Sequence, residues 1–319
     1  MENEERKLHP LRFLPDSVER PWGTVEYKLA DLGFIDSMAR EGWLGGNTVS
    51  DLMQTYLERM VGETSFEYYG TQFPVMVKTL DVKGRTSLHV NPDDLSAEQR
   101  YDAFGKTALW YVTKAGPDAR LYLGFKRDVT AEEFYRKCMD GTVEDLLNCI
   151  RPEVGSAYLV LPGMVHAASD VQLLEIAESS ELWFRLHDWG SAEREMHLEE
   201  AFDLIDFKAW QASEPVPGKI ARTPQFTVTR LSLTDPLRYQ GGEGNSFLLY
   251  VCTEGEAVIR IPSGGKADEY PVKAGEVLLV PAELDDLYLV PLRKGTVLLE
   301  VMMEPRTEPD GYIQEGSNG

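Results

Sequence analysis

Apolar residues recur along this chain at two periods, and the change from one to the other divides it. Leu52, Met53, Tyr56, Leu57 and Met60 step by three and four, which predicts a helix over Val49–Met60 with a polar start at Ser50-Asp-Leu-Met. Asp36–Arg40 has the same character. Residues 1–25, punctuated by Pro10, Pro15 and Pro21, read as irregular. From Phe73 the period shortens. Phe73–Asp81 is a continuous apolar run around Lys78, fit for a buried strand. Leu88 and Val90 then alternate with His89 and Asn91, so those two polar side chains share one strand face. Ala108–Val112 and Arg120–Phe125 read as two more strands, with Gly116-Pro-Asp as the turn between them.

Helical spacing returns once. Thr130-Ala-Glu-Glu has the form of a capping box, with Phe134, Tyr135 and Cys138 following on one face. Thr142-Val-Glu-Asp opens a second short helix through Leu146, Leu147 and Ile150. From residue 155 the chain is strands. Gly155-Ser-Ala-Tyr-Leu-Val-Leu-Pro162 and Gly275-Glu-Val-Leu-Leu-Val-Pro281 echo one another: a glycine, an apolar strand, a proline turn. Leu173–Ala177 and Leu182–Leu186 follow the first, Asp285–Val290 and Gly295–Met302 the second. Two similar sets of short strands predict two β-barrels or sandwiches, with Glu214-Pro-Val-Pro-Gly218 as linker and a frayed tail over 305–319.

Composition narrows the function classes. Net charge is −21, from 53 acids against 32 bases, and that field repels a polyphosphate, so nucleic acid is not an expected partner. A phosphorylated small molecule would need a local cationic pocket. No apolar run approaches a membrane span, and the N-terminus, Met1-Glu-Asn-Glu-Glu-Arg-Lys, is too charged to open a secretory signal, so a cytoplasmic protein is expected. Cys138, Cys149 and Cys252 form no CxxC and read as reduced thiols. Nothing in the sequence sets an oligomeric state.

Several segments, in order, resemble the type I mannose-6-phosphate isomerases, a cupin family of jelly-roll barrels. They are Pro21-Trp-Gly23, Phe73–Asp81, Asn91-Pro-Asp-Asp94, Gly105-Lys-Thr107, Leu121–Phe125, Gly155–His166, Leu174-Glu-Ile176, Arg185–Trp189 and Arg194-Glu-Met-His197. The match covers about the first 210 residues, and the remainder agrees only in character. The resemblance implies a mainly β protein of two cupin barrels. An N-terminal domain over 1–213 would carry helical insertions near 36–62 and 130–150, and a smaller barrel would occupy 219–304. It also implies aldose–ketose isomerisation of a sugar phosphate through an enediol, with zinc as the metal.

In the family a glutamine, two histidines and a glutamate hold that metal. The matching positions here are His89, Asn91, His166 and, for the glutamate, Ala108. Only His166 keeps its residue type. An amide is a poor zinc donor and a methyl is none; Asp93 or Asp94 is a candidate substitute anion. Glu175 matches the family's acidic active-site residue and would shuttle the proton. Arg185 would stabilise negative charge, and Lys106 would contact substrate oxygens or phosphate. The ten-residue spacing of Glu175 and Arg185 fits adjacent strands of a hairpin, where a plain cross-strand ion pair is the competing reading. Trp110, Tyr111, Trp183 and Phe184 read as packing, and His9, His187 and His197 as structural. The altered ligands leave a second function open: a catalytically inactive cupin that binds a sugar or sugar phosphate.

Overall fold

The computed structural model describes residues 6–191, 194–213, 216–242 and 246–304, and it is mainly β. The linker expected from Glu214 and the tail from Pro305 fall partly or wholly outside those residues. The described residues form two compact units, one of 17–27 and 75–213, the other of 6–16, 28–74 and 216–304. Among them, no helix is long and apolar enough to cross a membrane.

Nine strands make the sheet of the first unit: β1 (Asp16–Arg20), β2 (Gly23–Leu29), β3 (Val75–Val82), β4 (Leu88–Val90), β5 (Ala108–Phe125), β6 (Leu147–Ile150), β7 (Ala157–Val160), β8 (His166–Glu178) and β9 (Phe184–His187). Their order is β1-β2-β3-β8-β4-β9, with β5 pairing to β6, β7 and β8. The alternation in β4 is what makes a site possible. Leu88 and Val90 are fully buried in a core with Phe125, Phe134 and Leu186, which turns His89 to the opposite face.

The second unit carries the three helices α1 (Val49–Tyr56), α2 (Glu58–Val61) and α3 (Glu63–Tyr69). Its two sheets use β10 (Ala221–Arg222), β11 (Phe226–Leu233), β12 (Leu237–Gln240), β13 (Leu248–Glu254), β14 (Glu256–Ser263), β15 (Lys266–Lys273), β16 (Val277–Val280), β17 (Asp286–Pro291) and β18 (Thr296–Met303). Five of these are ordered β10-β11-β18-β13-β16 and four β12-β17-β14-β15. Tyr250, Ile259, Leu278, Leu287 and Leu298 fill a core drawn from both sheets. The first unit's remaining helices are α4 (Asp94–Tyr101), α5 (Ala131–Met139) and α6 (Leu198–Ala201).

Several local expectations are corrected. Residues 16–29 are strands rather than irregular chain: Val25, Tyr27 and Leu29 are buried in alternation, while β1 is a largely exposed edge strand whose form comes from pairing. Asp36–Arg40 is not helical, because its amides bond to distant carbonyls, Ser37 to Ala30 and Ala39 to Asn47. The Val49–Met60 helix breaks at Leu57, whose φ of 48° lies in the left-handed region, and the start is Thr48, which forms the capping box with Asp51. Gly116-Pro-Asp is not a turn. β5 runs through it because it pairs with β8 from Ala108 to Leu123, and the register slips between Ala115 and Arg120, where Pro117 has no N–H to give. After Thr142 the chain makes only a 3-10 turn, Val143–Leu146, before Leu147–Ile150 joins β5 as a strand. The helix after Thr130 stands, with its hydroxyl accepting from the Glu133 N–H at 3.2 Å.

Candidate active site

One register point organises the site. His89 on β4 lies opposite His166 on β8 in one direction and opposite Arg185 on β9 in the other. β4 therefore separates β8 from β9, and Glu175 and Arg185 are not neighbours in a hairpin. The competing cross-strand ion pair between them is absent for the same reason. Glu175 pairs instead across β3, facing Lys78 in register, and across β5, facing Trp110.

These side chains line a cavity of about 220 Å³. At its floor Lys78 and Lys106 meet Glu175 and Glu181. Glu175 Oε1 is 3.2 Å from Lys78 Nζ and 3.3 Å from Lys106 Nζ. Its Oε2 accepts from Trp110 Nε1 at 2.7 Å. Glu181 Oε1 bonds to Lys78 and lies 3.6 Å from Lys106 Nζ. Burial alone would raise the Glu175 carboxyl, but Lys106, Lys78 and the indole N–H outweigh it and hold Glu175 well below the usual carboxylate range. Burial likewise opposes the charge on Lys78, and Glu175 and Glu181 carry its pKa above the ordinary lysine value. Four charges that would each be costly to bury alone are stable here because each faces two of the opposite sign.

The loop of Gly105-Lys-Thr107 is built to deliver Lys106. The Gly105 N–H donates to Asp94 Oδ1 at 2.9 Å, Lys106 N–H to Pro92 O at 3.1 Å, and Thr107 N–H to Glu178 Oε2 at 2.9 Å. A Cβ on Gly105 would lie 2.5 Å from the backbone of Asp93 and Asp94, so only glycine admits this approach. The same bonds occupy Asp94, and Asp93 caps α4 by accepting from the Ser96 N–H at 2.7 Å. Neither aspartate reaches the cavity as a substitute anion.

The imidazoles of His89 and His166 line the same cavity. His166 Nδ1 is 2.9 Å from Met164 O, and since a carbonyl only accepts, Nδ1 carries the proton and Nε2 keeps its lone pair. Burial pulls the His166 pKa down to about 4. Burial, then His166 and Arg185, hold His89 well below the ordinary imidazole range, and its Nε2 is buried with no hydrogen-bond partner among the described residues. The rings are 6.1 Å apart, with Trp183 4.5 Å from His89 and Trp110 5.5 Å from His166. Trp110 and Trp183 are thus cavity walls as well as packing. Tyr111 and Phe184 only pack, and His187 and His197 accept from the backbone N–H groups of Trp189 and Arg185. Arg185 is held by Ser87 Oγ at 3.2 Å and Glu195 O at 2.7 Å, and among the described residues no carboxylate pairs with it.

Sequence reasoning passed over Lys78, Glu181, Arg20 and Arg194 as lining residues. Lys78 carried a readable signal, a lone charge inside an otherwise apolar strand; Glu181 carried none, because it precedes β9 in irregular chain.

The donors at the family's ligand positions do not fit a three-ligand zinc centre. Asn91 is buried with its amide donating to Lys106 O at 3.4 Å, and Ala108 is 1% exposed within the β5 wall. Among the described residues, no three His, Cys, Asp or Glu side chains are grouped to hold a metal.

A cavity on a mainly β sheet, lined by paired imidazoles, buried lysines and carboxylates, has the features of a small-molecule site. No protein-family model matches the chain. The chain is 29% identical over 222 residues to the probable mannose-6-phosphate isomerase GmuF of Bacillus subtilis, spanning 62% of this chain and 68% of that one. In fold it is similar to the crystal structure of the mannose 6-phosphate isomerase from Bacillus subtilis, with a TM-score of 0.78 and 21% identity over 92% of this chain and 99% of that one. A zinc-bound mannose 6-phosphate isomerase aligns with a TM-score of 0.73 and 13% identity, over 93% and 100%. The curated relatives and the solved structures to which the chain is similar are named as mannose-6-phosphate isomerases, and the likeness in fold spans nearly the whole chain.

Proposed function

We propose that this protein interconverts an aldose and a ketose phosphate, with mannose 6-phosphate as first candidate. The observation that carries this reading is Glu175, a carboxylate kept ionised within reach of two ammonium groups at the floor of a cavity. Isomerisation needs a base to move a proton between neighbouring carbons and positive charge beside the enediolate oxygen. Glu175 is the base. Lys106 and Lys78 donate to the sugar oxygens, and Arg185, free of any carboxylate among the described residues, takes the phosphate or the developing negative charge.

Without ligand, Glu175 is too acidic to abstract a proton from carbon. Its basicity rises once Lys106 turns from it to substrate oxygen, so binding and activation are one event. A solved neighbour in fold is zinc-bound, but His89 and His166 supply only two neutral donors here, short of the three protein ligands a catalytic zinc site uses. We read the nine-stranded sheet and the paired five- and four-stranded sheets as two cupin barrels of a cytoplasmic enzyme. A binding protein without turnover is the second reading, favoured by Ala108 and Asn91 at ligand positions.

A coupled assay on mannose 6-phosphate, with zinc and with chelator, tests the first reading. Turnover is expected, and Glu175→Gln should lower kcat by about 100-fold or more while the affinity for sugar phosphate stays within a small factor. No turnover on any common hexose or pentose phosphate would leave the binding protein as the conclusion.

A further inference from the structure

We infer that the pocket recognises its phosphorylated ligand through protein cations alone and does not use a metal ion to do so. The inference rests on the sugar-phosphate reading of the site and extends it to how the ligand is held.

Three observations carry it. The first is the lining charge. Arg20, Lys78, Lys106, Arg185 and Arg194 line the cavity together with Glu175 and Glu181. Arg194 is paired with buried Asp188, its Nε donating to Oδ2 at 2.7 Å, so leaving the imidazoles aside the lining holds two excess positive charges inside a chain of net −21. Such a pocket focuses an anion inward and opposes a further divalent cation.

The second is that the carboxylates are already committed. Glu175 Oε1 faces two ammonium groups and Oε2 an indole N–H, while Glu181 Oε1 meets both lysines. A zinc ion would have to displace a lysine to gain an anionic ligand. The third is what has become of the ligand positions. Asn91 spends its amide on a backbone carbonyl, and Ala108 puts a methyl group where an anion would be. Two neutral imidazoles remain, short of the three protein ligands a catalytic zinc site uses.

The ligand's phosphate therefore meets Arg185 as its main cationic contact, and its hydroxyl and carbonyl oxygens meet the lysine pair as donors. A phosphorylated sugar supplies both kinds of group; an unphosphorylated sugar supplies only the second.

Calorimetric titration of mannose 6-phosphate into the full-length protein tests this, after dialysis against chelator and again with zinc restored, with zinc content measured in each sample. The dissociation constant should agree within about threefold between the two conditions, because the charged hydrogen bonds that set it come from the protein. Mannose without phosphate should bind at least ~10-fold more weakly, the difference expected for one charge-assisted contact. Arg185→Gln should remove most of that difference at an unchanged unfolding temperature. Ala108→Glu combined with Asn91→His and His89→Gln should retain zinc through dialysis, where the native chain retains a small fraction of one equivalent.

Binding that requires zinc, or a full equivalent of zinc surviving dialysis of the native chain, overturns the inference, as does failure of mannose 6-phosphate to bind in either condition. Chelator-resistant binding with no turnover keeps the inference and removes the isomerase reading. Zinc-dependent binding with turnover does the reverse.

Discussion

The buried groups of the cavity make stability depend on pH in one direction. An unfolded histidine takes up a proton near 6.5. His166 in the folded chain does so only near 4, because it is buried. Between those values the unfolded chain binds a proton that the folded chain refuses, so stability falls as pH drops from about 6.5 to about 4. For His166 alone the loss approaches ~3 kcal/mol, and His89 adds to it with the same sign. Glu175 joins below the ordinary carboxylate range: its pKa is lowered on folding, so its contribution is present above that range and lost as acid protonates it. Lys78 acts at the other end. Its pKa is raised, so its contribution holds through neutral pH and is lost only under strong alkali. Denaturant unfolding between pH 8 and 4 should therefore show a steep acid limb, and His166→Gln should flatten the segment between about 6.5 and 4. An unchanged slope in that variant would mean that the imidazole is not held neutral.

At the scale of elements, the site depends on how closely β4, β5 and β8 are tied. The loop before β5 presses Gly105 onto the start of α4, and three backbone hydrogen bonds hold Lys106 over the cavity. Gly105→Ala should cost about 2–4 kcal/mol, since the added carbon meets backbone rather than a movable side chain. It should also weaken mannose 6-phosphate binding more than Thr48→Ala does. Thr48→Ala removes the α1 cap in the other unit, should cost about 1 kcal/mol and should leave binding unchanged. Chemical denaturation and calorimetry on the two variants separate the effects. Equal losses of affinity would mean that Gly105 acts only through global stability.

For the whole molecule, the governing quantity is charge. At −21 the folded chain repels itself, and salt screens that repulsion over about 10 Å at 0.1 M. The unfolding temperature should rise between 10 and about 300 mM sodium chloride, while affinity for mannose 6-phosphate should fall over the same range because the local pocket is cationic. Opposite signs in one titration are the signature of a basic cavity inside an acidic protein. Both quantities moving together would place the ligand outside this pocket.

The legible part of this protein was local or periodic. Alternation through Leu88-His-Val-Asn91 put His89 on one face, and the segments from Pro21 to His197 carried the resemblance, because a period-two pattern and a set of ordered motifs are properties of the chain itself. Glu175, Arg185, Lys106, His89 and His166, which the motifs single out, all line one cavity. Their relations were decided only by tertiary structure. Glu175 and Arg185, ten residues apart, are separated by β4, whereas Lys78, nearly a hundred residues before Glu175, faces it in register. That choice of partners turned a lone lysine in an apolar strand into one member of a four-charge network. It also tied the Asp93 and Asp94 carboxylates to backbone N–H groups at the start of α4, outside the cavity lining. Sheet order follows from which apolar faces bury one another over long separations, and no local period encodes it.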